Sequence, residues 1–137
     1  MREINKIIIH CSGTNIETYD FDRMHYDHTN NRGWSDIGYH FGIDFSGRYH
    51  ILRPIHRSGA HAKGHNTDSI GICLLGLDPF TRRQFQQLAT LLEMLCTVFD
   101  LKEEDIYPHN HFNKNKTCPN FDVDWFKDQF LELPNGV

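Results

Sequence analysis

The chain lacks several features that would direct its function elsewhere. No long Lys/Arg run appears, and the formal net charge is -4, which argues against nucleic acid as partner. No apolar stretch approaches the ~20 residues that a membrane helix needs. No pair of the four cysteines has C-x-x-C spacing, so a zinc ribbon and a thioredoxin motif are both excluded. The helical H-E-x-x-H zinc motif is absent, as are repeats, low-complexity tracts and linkers. The opening Met1–Lys6 leads straight into a short strand-like run, too short for a secretory core. The expectation is a protein made in the cytoplasm without a signal peptide, reaching any external substrate only after release or delivery.

What is present fits one ordinary soluble domain spanning residues 1–137, with 39% hydrophobic and 23% charged residues. Ten histidines are many for this length and raise the prior on a metal site. Residues 4–10 read as a central strand, β-branched and apolar on both faces. Residues 18–30 suggest a helix with Phe21, Met24 and Tyr26 as apolar positions and His25 and His28 on its exposed side. Residues 39–45 alternate at period two, and Ser46-Gly47 forms a two-residue turn into a second strand over residues 48–52. A polar, histidine-rich loop over residues 56–69 precedes a buried strand over residues 70–75, where Cys73 reads as a small hydrophobe.

Thr81 and Gln84 have capping-box spacing and open the clearest helix. Its apolar face carries Phe85, Leu88, Leu91, Leu92, Leu95 and Phe99, with Cys96 beside it. Ile106-Tyr107 suggests a short strand, and a last helix starts near Val123 with Trp125, Phe126 and Phe130 apolar. Strands and helices in this order predict an α/β domain, with a mixed central sheet flanked by α-helices.

His10 closes the run Ile7-Ile8-Ile9, and His109 follows the short strand, so both emerge at strand ends, where open sheets place their sites. With Cys118 they can supply three zinc ligands and leave a fourth position for water, the layout of a catalytic centre. Spacing alone admits His111 in place of His109. Lys116, two residues before the cysteine, can stabilise an oxyanion, and the hydroxyl of Tyr39 can orient water or donate to the same charge. His61 and His65 read as substrate contacts or exposed loop residues.

Five segments taken together resemble a known family: Ile9–Ser12, Gly38–Phe41, Gly59–Asn66, Ser69–Ile72 and Lys116–Asp122. In this order they are similar to zinc-dependent N-acetylmuramoyl-L-alanine amidases of the phage-lysozyme type, whose fold peptidoglycan recognition proteins share. The resemblance implies that fold, Zn2+ as cofactor, His10, His109 and Cys118 as ligands, and Tyr39 and Lys116 as the catalytic pair. It also implies a substrate groove near Trp34, His61, Lys63 and Asn66. The implied reaction cuts the amide between N-acetylmuramic acid and the L-alanine of the stem peptide. Peptidoglycan or a muropeptide is then the partner, and a monomer is the default for a small hydrolase acting on a polymer. The alternative is a recognition module that holds peptidoglycan without cutting it; the intact Cys118 favours the enzyme.

Overall fold

The computed structural model describes residues 1–133. Its frame is a five-stranded sheet in the order β3-β2-β4-β1-β5. Strand β1 (Lys6–Cys11) lies inside it, parallel to β4 (Ser69–Leu74) on one side and to β5 (Ile106–Pro108) on the other. Burial on both faces accounts for the unbroken Ile7-Ile8-Ile9 run, all fully buried. β2 (Phe41–Ile43) extends the sheet parallel to β4, and β3 (Tyr49–Ile51) closes that edge antiparallel to β2.

The hairpin differs from the two-residue turn expected. Ile43 pairs with Tyr49, and the Asp44 N–H donates to the Arg48 carbonyl, leaving Phe45, Ser46 and Gly47 as a three-residue loop. Gly47 has φ +86°, the left-handed position that this loop length demands. Asp44 accepts from the Ser46 and Arg48 amides, and these bonds hold the longer loop.

Helix α1 (Phe21–Tyr26) is shorter than residues 18–30 suggested. Asp20 caps it by accepting from the Arg23 amide, and Asp27–Asn31 continue as a wider π-type turn. Helix α2 (Arg82–Phe99) has the predicted capping box between Thr81 and Gln84 and ends at Asp100 in the left-handed conformation. Its buried stripe, Phe85, Leu88, Leu91, Leu92 and Leu95, packs on Ile7, Ile9, Ile43, Ile70 and Ile72. Cys96 lies on the same buried side, as expected. After β5 comes one helical turn, α3 (His109–Phe112). Helix α4 (Val123–Phe130) starts at Asp122, whose carboxylate accepts from the Asp124 and Trp125 amides. Val123 and Phe126 are buried, whereas Trp125, expected on the apolar face, is nearly half exposed.

α2 and α4 cover one face of the sheet. The other face carries a smaller cluster: Phe21, Met24, Ile37, Cys73 and Leu75, with Tyr39 packed against it. Side chains alternate along a strand, so His10 points away from the face that Ile7 and Ile9 give to α2. Among the described residues, no helix is long and apolar enough to cross a membrane.

Candidate metal centre and its cleft

The three candidate ligands meet at one end of the sheet. His10 lies on β1, His109 opens α3 directly after β5, and β5 is hydrogen-bonded beside β1. Strand adjacency therefore brings together two residues far apart in sequence, with ring centroids 4.3 Å apart. Cys118 arrives on the loop after α3. The Asn110 N–H donates to the Cys118 carbonyl, and the Cys11 N–H donates to the Cys118 Sγ at 3.1 Å. Asn120, held at φ +66°, donates from Nδ2 to the Leu77 carbonyl and ties this loop to the segment after β4.

One ligand atom each from His10, His109 and Cys118 fall within 4.8 Å of one another. His111 does not join them: its ring lies 4.9 Å from Tyr107, and it lines a separate cleft with Phe121 and Asp122. The rotation of about 100° per residue in α3 separates the two histidines, and sequence spacing could not choose between them.

The donors suit a borderline-soft divalent cation. Burial, with His61 and His109 alongside, holds His10 well below the usual histidine range. Burial and the neighbouring Lys116 ammonium lower His109 as well. Both rings are therefore neutral at pH 7 and keep a lone pair for a metal. The Cys118 thiol is raised above the ordinary range by its contact with Cys11 and by burial. A cation is what would draw off its proton, since metal ligation requires the thiolate.

The three donors open onto a cleft of about 760 Å³. Trp34, Tyr39, His61, Lys63, Asn66 and Lys116, each singled out from the sequence, all line it. Lys116 is exposed on the rim of the Cys118 loop. The Tyr39 ring lies tilted against His10 with centroids 4.9 Å apart, and burial together with Cys73, Cys118 and Cys11 pushes its phenol well above the usual range. Arg32 adds a third cation, lying 5.2 Å over the Trp34 ring. Among the described residues no aspartate or glutamate lines the cleft, although the chain as a whole is net acidic. An anionic ligand is thus favoured over a cationic one.

Three histidines are held more deeply than the sequence alone indicated. His28, expected to be exposed, is buried: its Nδ1 accepts from the Gly38 N–H, and its ring lies 4.7 Å from Trp34. The π-type turn rotates it inward, beyond what the 3.6-residue period suggested. His61 is not an exposed loop residue, because its ring reaches under the cleft and bonds His10 at 2.8 Å. His40, unremarked in the sequence, is fully buried and accepts the Gly71 N–H on Nδ1. Of the groove residues, Asn66 spends its Oδ1 on the backbone amides of His61 and Ala62 and so shapes the loop that carries Lys63.

A mixed five-stranded sheet covered by helices is the fold that the resemblance implied, and the His-His-Cys cluster stands at its end. The family model for N-acetylmuramoyl-L-alanine amidase matches residues 1–121, and the chain belongs to that family. It is 33% identical over 144 residues to the endolysin of Enterobacteria phage T3, covering 95% of this chain and 91% of that protein. Among solved structures, the N-acetylmuramoyl-L-alanine amidase LysC from Clostridium intestinale superposes with a TM-score of 0.84 at 28% identity, covering 93% of this chain and 85% of the other. A mutant of Drosophila PGRP-LB in complex with tracheal cytotoxin superposes with a TM-score of 0.75 at 25% identity, covering 87% of this chain and 76% of the other.

Proposed function

We propose that this chain is an endolysin-type, zinc-dependent hydrolase that cuts the amide between the lactyl group of N-acetylmuramic acid and the L-alanine of the stem peptide. The amidase activity follows from the family. The observation that carries the zinc site is the convergence of His10, His109 and Cys118 at the floor of an acid-free cleft. Two neutral imidazoles and a thiolate match the ligand types zinc takes in catalytic sites, and the cleft side stays open. Bound there, zinc supplies Lewis-acid polarisation of the scissile carbonyl and lowers the pKa of water toward ~7.

The chain's own residues do the rest in this reading. The Lys116 ammonium stands on the rim next to His109 and balances the negative charge that grows on the carbonyl oxygen. The Tyr39 hydroxyl keeps its proton, because burial and nearby thiols oppose phenolate formation, and so acts as a donor. Trp34 offers an apolar wall to the substrate, while Lys63 and Arg32 pair with carboxylates of the stem peptide. The chain acts as one amidase domain over residues 1–137. It works as a monomer, does not insert into membranes, and reaches the wall after release.

Digestion of purified sacculi followed by mass spectrometry of the soluble products tests the bond assignment. Stem peptides beginning at L-alanine, with glycan strands left intact, are expected. New reducing sugar ends without free peptides would overturn it.

A further inference from the structure

We propose that His61 is a positioning residue that fixes His10 as an Nδ1 donor to the metal, through a hydrogen-bond chain anchored at Ser69. The consequence for catalysis rests on the zinc-amidase reading above, while the arrangement itself rests on the hydrogen bonds. The Ser69 hydroxyl lies 2.6 Å from the His65 carbonyl, which can only accept. Its single proton is therefore committed there, and its oxygen must accept from the His61 Nε2 at 3.1 Å. His61 then carries its proton on Nε2 and, as a neutral ring, presents a lone pair at Nδ1. That lone pair faces the His10 Nε2 at 2.8 Å, so His10 is protonated at Nε2 and bare at Nδ1. Nδ1 is the one ring nitrogen of His10 left for a cation, and the relay selects the tautomer before any metal arrives.

The surrounding chain is shaped for this ring. A Cβ on Gly71, in the middle of β4, would lie 2.6 Å from the His61 Cγ and Cδ2. A Cβ on Gly59 would also lie 2.6 Å from the His61 Cδ2. Two glycines on separate segments thus leave space that His61 fills. The Asn66 Oδ1 fixes the backbone of His61 itself at 2.8 Å. Ser69, the anchor of the chain, is fully buried.

Long-range 15N–1H correlation spectra of the full chain without metal read the tautomers directly. The expected pattern is protonated Nε2 and bare Nδ1 on both His10 and His61; a proton on the His10 Nδ1 would overturn the proposal. Zn2+ affinity, measured by competition with a chromophoric chelator, reads the consequence. His61→Phe keeps the ring volume without the acceptor and should weaken Zn2+ binding about 10–100-fold. His61→Asn, whose Oδ1 can stand near the lost Nδ1, should recover part of it. Ser69→Ala frees the relay without touching His61 and should let both His10 tautomers appear in the spectra. Wild-type affinity in a folded His61→Phe would contradict the role. If the wild type binds no Zn2+ at all, the zinc reading fails while the spectra still decide the tautomer.

Discussion

The backbone amide of Cys11 donates to the Sγ of Cys118 at 3.1 Å, joining residues 107 positions apart. β1 therefore delivers a candidate ligand, His10, and with the next residue a donor that stabilises the thiolate of another. The candidate cluster and the sheet are one construction, because strand β1 carries one of its three corners and is hydrogen-bonded to a second.

Cys118→Ser should leave the sheet and helices folded, because Cys118 lies outside both apolar clusters. It should lose the metal. Dialysis against metal-free buffer followed by elemental analysis checks this: wild type is expected to retain close to one zinc, and the variant none.

Lys116→Ala removes an exposed rim cation and should keep both fold and zinc. Its turnover should fall about 100–1000-fold, the ~2.7–4 kcal/mol typical of a lost oxyanion donor. Steady-state kinetics on solubilised peptidoglycan would show the loss in kcat. Undiminished kcat would remove Lys116 from the mechanism.

Tyr39→Phe keeps the ring against His10 and removes only the hydroxyl. A drop of about 100-fold in kcat is expected if that hydroxyl donates in the reaction. Its phenol is held well above the usual range, so Tyr39 should add no basic limb to the wild-type pH–rate profile below pH 10. A limb that disappears in Tyr39→Phe would show that the phenol ionises after all.

His40 makes stability fall with acid. An unfolded histidine titrates near 6.5, whereas burial lowers folded His40 to about 4. Between those values the unfolded chain binds more protons. The stabilisation is complete above pH 6.5 and is lost as pH falls toward 4. One such residue amounts to about 2 kcal/mol between pH 7.5 and 5. His28, also lowered to about 4, acts in the same sense. Urea unfolding of the metal-free protein at both pH values should show the loss, and His40→Gln should show a smaller pH difference than wild type.

The legible parts of this molecule are those where a local pattern has one physical solution. Three consecutive isoleucines need burial on both faces, and the Thr81–Gln84 box with its leucine stripe needs a helix on a sheet. His10, His109 and Cys118 were readable as donors because each stands next to an unmistakable element or turn. Their meeting was not, since it depends on β5 pairing with β1. The buried histidines escaped for a related reason. His28, His40 and His61 are satisfied by Gly38, Gly71, Ser69 and His10, partners 8 to 51 residues away that no helical or strand periodicity points to. The extra residue in the β2–β3 hairpin was hidden because Ser-Gly also satisfies the shorter turn.

Hydrolysis of peptidoglycan amides with a metal held by His10, His109 and Cys118 is open to one direct measurement. It follows newly freed L-alanine amino termini as purified protein acts on peptidoglycan, with chelator and after zinc is restored. Release that stops with chelator, returns with zinc and is absent in Cys118→Ser is predicted, with the helical circular dichroism unchanged throughout. Peptidoglycan retained on the protein with no termini released, at full zinc occupancy, would contradict the account and mark the chain as a recognition module on the same fold.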